Sequence, residues 1–312
     1  MTISLPPDVV DNIRTIFTER GERWLAQLPA TVARLCRDWE LEVIGASFTG
    51  GTHSFVAPVR RADGGVAVLK VPVIDEEDAG EAAGMYCYRG EGAAYLYEFD
   101  PDSRALLLEW ARPGTPLVGQ PPIPLEGRPE HADAVQAACA LYRRLRRPPT
   151  GLPSGYPPLP LVSDIVADWS ERLTGPALLG YLTDELAGPA RDRCAAMAVP
   201  DGPELIVNRD THLGNIVASE REPWLLIDPK AYLGEAAFDA GFLILKMVES
   251  HPDPDPRIAH RMVAAAADGL EVDRERARGW AFLRAVEEIA WSLEDDRPGD
   301  AARYRRVAAA LS

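Results

Sequence analysis

The sequence predicts an α+β protein of two lobes, a small lobe built on an antiparallel β-sheet followed by a larger, mainly helical lobe. Two observations carry this prediction. Short β-branched runs separated by glycine-containing turns occupy residues 41 to 73, and this texture is typical of an antiparallel meander. Beyond residue 160 the apolar side chains recur mainly at helical spacings. The predicted lobes span residues 1–108 and 109–312.

The first predicted element is a helix over residues 8 to 40, where apolar residues recur at spacings near three and four. Three strands follow in "LEVIGASF", "SFVAPVRR" and "VAVLKVPV", joined by "TGGTH" and "ADGG". A second helix is predicted over residues 75 to 88, because acidic residues at its start suit the positive end of a helix dipole. Those acidic residues are Asp75, Glu76, Glu77 and Asp78.

The next predicted strand is "ALLLEW" (105–110), and the turn-rich "ARPGTP" after it marks a hinge near residues 109 to 114. Proline is dense from 112 to 160, apart from a predicted helix over 130 to 147. The remainder is mainly helical, interrupted by the loop "VNRDTHLGN" and by "PWLLIDPK". A final long helix is predicted from about 273 to 296.

Composition excludes several classes of protein. A formal net charge of −15 argues against a general nucleic-acid binder, which needs a basic face. The charge fits either a cationic small substrate or a simple solubility feature. No apolar run approaches the ~20 residues of a membrane span, and the N-terminus lacks the pattern of a signal peptide. The four scattered cysteines, without CxxC spacing, predict reduced thiols in a cytoplasmic protein; they are Cys36, Cys87, Cys139 and Cys194.

Phosphoryl transfer depends on charge stabilisation, metal ions and a positioned nucleophile. Four patterns that could supply these occur along the chain in the required order. The first is "TGGTHS", in which Gly50, Gly51 and Thr52 could bring backbone amides close to phosphate oxygens. The alternative is a plain Gly-Gly hairpin turn. The chain has no G-x-x-x-x-G-K-[ST] match, which argues against a P-loop nucleotidase.

The second pattern is a lysine inside an apolar strand, Lys70 in "AVLKV". A buried ammonium is costly unless it meets an anion, and the phosphates of ATP would supply one. Glu81, eleven residues later, could orient this lysine through a salt bridge; Glu76, Glu77 and Glu91 are competing partners. The alternative is a lysine at the sheet edge that faces water.

The third and fourth patterns are two acidic loops. In "VNRDTHLGN", Asp210 could accept or orient the hydroxyl proton of a substrate, and Asn215 could hold a metal ion through its amide oxygen. Asp228 follows thirteen residues after Asn215 at the end of an apolar strand and could complete a Mg²⁺ site. The alternatives are an Asx-rich turn and a turn-forming Asp before Pro. Each signal alone is weak, and their shared order strengthens them.

At these residues the sequence resembles the aminoglycoside phosphotransferase-like kinases, and more narrowly the streptomycin 6-phosphotransferase and hydroxyurea phosphotransferase family. "NRDTHLGN" is similar to the H-x-D-x-H-x-G-N pattern of that family. "SEREPWLLIDPKAYLGEAAFD" and "GEGAAYLYEFDPDSRALLLEWARPGTPL" resemble two further family segments. The likeness runs from about residue 20 to 297.

The resemblance implies a protein-kinase-like two-lobed fold, ATP, Mg²⁺ and a small hydroxyl-bearing acceptor. It implies that Asp210 is the catalytic base and that Asn215 and Asp228 are metal ligands. Lys70 would then contact the nucleotide phosphates, with Glu81 as its partner.

The resemblance also assigns residues around the nucleotide and the loop. Glu109 and Ala111 would lie at the hinge and offer backbone groups to the adenine edge, and Asp239 would brace the catalytic loop. Two departures from the family pattern stand out. Asn208 replaces the usual His, a supporting residue, and is expected to hydrogen-bond a neighbouring carbonyl instead. Trp110 stands where Arg is common and could change the shape of the nucleotide pocket.

The final predicted helix carries a candidate acceptor site. Glu287, Trp291 and Glu294 fall at i, i+4 and i+7 beside the apolar stripe of that helix, and Asp295 follows. An acidic face around an indole would suit a guanidinium or ammonium ligand. The alternative is a solvated acidic face with one half-buried tryptophan; the position of this helix in the family favours substrate binding.

The sequence therefore predicts a cytoplasmic, ATP-dependent O-phosphotransferase acting on a hydroxyl of a small molecule. The expected acceptor is a cationic aminoglycoside-type antibiotic such as streptomycin, or hydroxyurea, so that the enzyme confers resistance. A monomer or weak dimer is expected, without nucleic-acid or membrane partners. Two alternatives stay open: a kinase of a metabolite such as an amino sugar, and a nucleotide-binding pseudokinase or drug-sequestering protein. Asn208 alone favours the pseudokinase.

Overall fold

The computed structural model describes residues 5–49, 53–75, 79–117 and 129–312, the side chains of 129–133 excepted. The helices are α1 (Pro7–Asp38), α2 (Glu81–Tyr88), α3 (Pro129–Leu145), α4 (Val162–Arg172), α5 (Pro176–Tyr181), α6 (Asp184–Met197), α7 (Phe238–Glu249), α8 (Pro256–Leu270), α9 (Arg274–Glu294) and α10 (Pro298–Leu311). The strands are β1 (Glu42–Val43), β2 (Ser54–Arg60), β3 (Val66–Pro72), β4 (Leu96–Asp100), β5 (Ala105–Glu109), β6 (Pro113–Pro116), β7 (Leu205–Asn208), β8 (Ile216–Ser219), β9 (Trp224–Leu226) and β10 (Ala231–Gly234).

The predicted antiparallel sheet is confirmed, with the strand order β1-β2-β3-β5-β4. The first three strands form the expected meander, and Val56 lies opposite Lys70 in the register of β2 and β3. The sequence analysis missed β4, which forms the sheet edge beside β5. Of "LEVIGASF" only two residues pair as a strand.

The second helix begins later than predicted. It starts at Glu81, and Asp75 lies before it in an irregular segment where its carboxylate is 3.6 Å from Arg20. Gly80 precedes the helix because a Cβ there would lie 1.9 Å from the carbonyl oxygen of Ala231. Close packing against β10 therefore requires a glycine at the position before the helix. Glu76, Glu77 and Asp78 fall outside the described residues.

The two largest apolar clusters of the described residues lie one in each lobe. One lies between α1 and the large sheet and contains Leu28, Val32 and Leu69. The larger one lies among the helices, where Ile244 of α7 and Phe282 of α9 are fully buried. This helical core also takes in side chains of α2 and β5, so apolar packing is continuous beneath the cleft between the lobes.

Two small sheets place the functional loops at that cleft. β7 pairs with β10 and ends at Asn208, directly before the loop of Asp210. β8 and β9 form a hairpin that also pairs with β6 beyond the hinge, and Asp228 follows it. Among the described residues, no helix is long and apolar enough to cross a membrane. All four cysteines are free thiols, as predicted.

Candidate active site

Lys70 and Glu81 form the salt bridge that the sequence predicts. The Lys70 Nζ lies 2.7 and 2.8 Å from the two carboxylate oxygens of Glu81, and both side chains are buried. The competing Glu91 pairs instead with Arg147 at 3.1 Å. The same Lys70 Nζ lies 2.6 Å from Oδ1 of Asp228. One ammonium group thus joins β3, α2 and the segment after β9.

Asp228 follows β9, and about half of its side chain is accessible, at 53%. Its backbone is left-handed, with φ 50°, a conformation that Asp tolerates better than most residues and that is often found at functional sites. Desolvation is the largest influence on this carboxyl and raises its pKa, but the charge and hydrogen bond of Lys70, together with the charges of Lys230 and His53, outweigh it, so the pKa is lowered. Asp228 is therefore a carboxylate at neutral pH.

Asp210 is held by two neighbours in its own loop. The Asn215 side chain donates to Oδ2 of Asp210 at 3.2 Å, and Nε2 of His212 lies 3.5 Å from the same oxygen. Because Gly214 N–H donates to Nδ1 of His212 at 3.0 Å, a neutral His212 carries its proton on Nε2, facing Asp210. Burial raises the pKa of Asp210, but the hydrogen bond and charge of His212 and the charge of Lys230 lower it by more, so the pKa is lowered overall.

Asn208 supports the loop from below, although not in the way predicted. Its Oδ1 accepts hydrogen bonds from the backbone N–H groups of Asp210 at 3.1 Å and Lys230 at 3.0 Å. The expected bond to a carbonyl is wrong, because the Nδ2 group that would donate it is buried without a hydrogen-bond partner among the described residues. The backbone N–H of Asn208 donates to Asp239 at 2.7 Å, whose other oxygen accepts from Arg146 at 2.6 Å. The predicted bracing by Asp239 is thus confirmed.

The hinge residues occupy their expected place at the end of β5. The Glu109 N–H donates to the Tyr95 carbonyl at 2.8 Å, and its carboxylate pairs with Arg221 at 2.8 and 2.9 Å. The N–H of Ala111 has no acceptor within the described residues. The rings of Trp110 and Phe48 lie 5.7 Å apart, so the unusual tryptophan packs against a phenylalanine that precedes β2. Gly50, Gly51 and Thr52 themselves lie outside the described residues.

The predicted acceptor residues all lie on or just after α9, and each carboxylate has an arginine partner. Glu287 is buried, with 3% of its surface exposed; it accepts from Arg209 at 2.6 Å and also from Arg284. The Trp291 ring lies under both guanidinium groups, at 5.3 and 5.6 Å. The sequence analysis offered two surroundings for Glu287, a substrate-binding surface or a solvent-exposed surface. Neither fits, because the residue is buried between two arginines.

The remaining two carboxylates of this face are exposed. Glu294 pairs with Arg172 at 2.6 Å, and Asp295 pairs with Arg297 at 2.8 Å. Their contact with an acceptor stays a prediction. The sequence analysis missed Arg209, although its position directly before Asp210 in the loop was a visible signal.

The sequence comparisons agree with this geometry. Residues 39–296 match the model of a family described as aminoglycoside/hydroxyurea antibiotic resistance kinase. The chain belongs to this family. It is 31% identical over 310 residues to a streptomycin 6-kinase of Streptomyces glaucescens, covering 94% of this chain and 92% of that relative. It is 33% identical over 301 residues to a hydroxyurea phosphotransferase of Kitasatospora aureofaciens, covering 94% and 81%.

Solved structures confirm the protein-kinase-like fold of this small-molecule kinase, whose family implies use of a nucleotide. It is similar to a choline kinase from Streptococcus pneumoniae with a TM-score of 0.60 at 11% identity, covering 92% of this chain and 99% of that one. It is also similar to an aminoglycoside phosphotransferase solved with ADP and hygromycin B, with a TM-score of 0.58 at 13% identity, covering 89% and 97%.

Proposed function

We propose that this kinase transfers the terminal phosphoryl group of ATP to a hydroxyl of a streptomycin-like antibiotic or of hydroxyurea, and thereby confers resistance. One observation carries the proposal: Lys70, Glu81 and Asp228 meet on one side of the cleft, and Asp210 and Asn215 meet in the adjoining loop. The names of the two relatives support the choice of acceptors. In this proposal the cleft divides a lobe of residues 1–108 from one of residues 109–312, and the enzyme is cytoplasmic.

Asp210 would orient the acceptor hydroxyl and take its proton as the bond to phosphorus forms. Since its pKa is lowered, Asp210 is ionised at neutral pH and can accept a hydrogen bond from the hydroxyl. Lys70 would bind the phosphate oxygens while Glu81 holds its ammonium in place. The remaining work is charge stabilisation around the transferred group.

The donor atoms of Asn215 and Asp228 fit a magnesium ion. The Asn215 amide donates its N–H to Asp210, and its Oδ1 has no hydrogen bond within the described residues. Oδ2 of Asp228 is likewise without a partner there, since Lys70 takes Oδ1. Mg²⁺ typically takes one or two protein oxygens plus phosphate and water, and it would neutralise charge on the phosphates. In the described part of the chain, no cluster of three or more His, Cys, Asp or Glu residues offers another metal site.

The remaining predicted residues complete the two substrate sites. Backbone groups of Glu109 and Ala111 would meet the adenine edge, with the Ala111 N–H as the donor. Gly50, Gly51 and Thr52 would cover the phosphates. Trp291, Glu294 and Asp295 would contact a cationic acceptor, and the enzyme would work as a monomer or weak dimer.

A phosphorylation assay tests this function. Purified enzyme is incubated with labelled ATP and Mg²⁺ plus streptomycin, hydroxyurea or a set of amino sugars, and the product is analysed by mass spectrometry. We expect phosphorylation of an antibiotic, and a loss of about 10²–10⁴-fold in turnover for Asp210→Ala with ATP binding retained.

Three other outcomes have clear meanings. Phosphorylation of an amino sugar alone would favour the metabolite kinase. Thermal stabilisation by ATP and Mg²⁺ without transfer to any acceptor would favour the pseudokinase. Unchanged turnover of Asp210→Ala would remove Asp210 as the base.

A further inference from the structure

Glu287 is a buried carboxylate whose two oxygens are both occupied by arginines of this chain. Oε1 accepts from Nη2 of Arg209 at 2.6 Å, and Oε2 accepts from Arg284. The second arginine also faces Glu288, at 3.5 Å. These are side chains of low exposure, at 2% for Glu287, 10% for Arg209 and 6% for Arg284. A carboxylate in this setting is stable only with its partners, which leaves it little capacity for a ligand.

Arg209 is the residue between Asn208 and Asp210, and it is fixed on several sides. Besides the bond to Glu287, its guanidinium lies 5.3 Å from the Trp291 ring centre and donates to the Tyr232 hydroxyl at 3.4 Å. Its backbone N–H donates to the carbonyl of Lys230 at 2.9 Å. Side chain and backbone of residue 209 therefore both have fixed positions.

That restraint adjoins the peptide group that carries Asp210. Oδ1 of Asn208 accepts from the Asp210 N–H at 3.1 Å, and Arg209, the preceding residue, is itself fixed by Glu287 and Tyr232. Because α9 also carries Trp291 and Glu294, the helix of the candidate acceptor site is tied directly to the catalytic loop.

We propose that Glu287 is a positioning residue that sets the orientation of Asp210 through Arg209, and that it does not contact the acceptor. The inference rests on the proposed role of Asp210. In this proposal α9 has two parts. The part around Glu287 holds the loop, and the part around Trp291 and Glu294 contacts the substrate.

The structure provides a matched control at the other end of the same helix. Glu235 is equally buried, at 2%; it accepts from Arg276 at 2.7 Å and from the Trp280 indole of α9. It also accepts from the backbone N–H of Asp201. Like Glu287, it pairs with an arginine of α9 and lies beside a tryptophan of that helix, but among the described residues it makes no hydrogen bond to the loop of residues 208–215.

The experiment compares Glu287→Gln with Glu235→Gln, using the acceptor that the wild-type enzyme phosphorylates. We expect Glu287→Gln to lower kcat about 10- to 100-fold, the scale of a small misplacement of a reacting group, with KM for ATP and acceptor unchanged. Glu235→Gln is expected to lower Tm comparably while its kcat stays near that of the wild type. Arg209→Gln should reproduce the kcat loss, and the double variant Arg209→Gln with Glu287→Gln should lose little more than either single variant.

Other results would overturn the proposal. A raised KM for the acceptor with unchanged kcat in Glu287→Gln would make Glu287 a substrate contact. Equal losses of kcat in Glu235→Gln, or additive losses in the double variant, would mean a general structural effect.

Hydrogen exchange of the backbone amides of residues 208–215 gives a test that needs no acceptor. Faster exchange confined to Glu287→Gln supports positioning, and exchange equal to that of Glu235→Gln contradicts it. If the wild-type enzyme phosphorylates no acceptor, the proposed function fails, while the exchange result still decides on the link between Glu287 and the loop.

Discussion

The proposed nucleotide side and the proposed acceptor side of the cleft each contain a buried carboxylate, Glu81 and Glu287 respectively, but these have different kinds of partner. On the nucleotide side, Glu81 and Asp228 share a single lysine, although 147 residues separate them in the sequence. On the acceptor side, Glu287 alone binds two arginines, one of them three residues earlier on its own helix. Carboxylates that converge from distant elements on one cation mark a site for an anionic ligand, whereas a carboxylate saturated by arginines serves to hold elements together.

The largest effect that separates the two sides is expected for Asp228→Asn. Removal of this charge should weaken metal binding and lower turnover about 10³-fold, because metal coordination contributes several kcal/mol of charge stabilisation. Steady-state assays over a range of Mg²⁺ concentrations would measure it. A variant with normal Mg²⁺ dependence would show that Asp228 serves only as a partner of Lys70.

The next effect concerns the lysine itself. Lys70→Met should lower kcat/KM for ATP about 10²-fold, the scale of losing one preorganised donor to a developing charge. Glu81→Gln should act in the same direction but more weakly, because the ammonium remains and only its position is loosened. Equal and independent effects of the two variants would contradict the view that the pair acts as a unit.

A smaller effect is expected on the acceptor side. Glu294→Gln and Asp295→Asn should raise KM for a guanidinium-bearing acceptor about 2- to 5-fold, since exposed ion pairs contribute little. The kcat value should not change, and KM for an uncharged acceptor provides the control. If both acceptors respond alike, charge recognition by these residues is wrong.

The smallest effect is expected on stability alone, from an ion pair that lies outside the proposed site. Arg34 donates two hydrogen bonds to Asp100, at 2.6 and 3.0 Å, and with Ser103 it lowers the pKa of Asp100 to about 2, against an ordinary value of 3.8. A lowered pKa stabilises the folded state above the ordinary value, and this contribution is lost as the pH falls from about 4 to about 2.

The variant Asp100→Asn should therefore be less stable than the wild type at neutral pH, and the difference in Tm should shrink on acidification through that range. Thermal melts at several pH values would measure it, with unchanged kcat and KM as the control. A constant difference in Tm at all pH values would assign the effect to packing instead of charge.

The sequence predicted the partner of Lys70 but not those of Glu287, for a physical reason. Lys70 is a charged residue in an apolar strand, so the local sequence already shows that it needs a charged partner. Glu81 is only eleven residues away, at the start of the next helix. The pairing of Arg209 with Glu287 depends on the approach of α9 to the loop, 78 residues apart in sequence. Local periodicity shows which face Glu287 lies on but not what packs against it.

The predicted start of α2 was wrong for a similar reason. The acidic run before Glu81 favours a helix N-terminus, but the contact of Gly80 with Ala231 is a tertiary constraint that overrides it. Strand β4 was missed because its residues are only partly buried and lack a clear alternation of polar and apolar side chains.

Asn208 has a further consequence that concerns proton concentration. Histidine, the usual residue at this position in the family, has an unperturbed pKa of about 6.5, so its charge changes near physiological pH. A carboxamide has no such transition, so its two hydrogen bonds to the loop persist unchanged from mildly acidic to mildly alkaline conditions. The support that Asn208 gives to Asp210, the proposed base, therefore does not depend on protonation, and we expect any pH dependence of turnover between about 5 and 8 to arise from other groups.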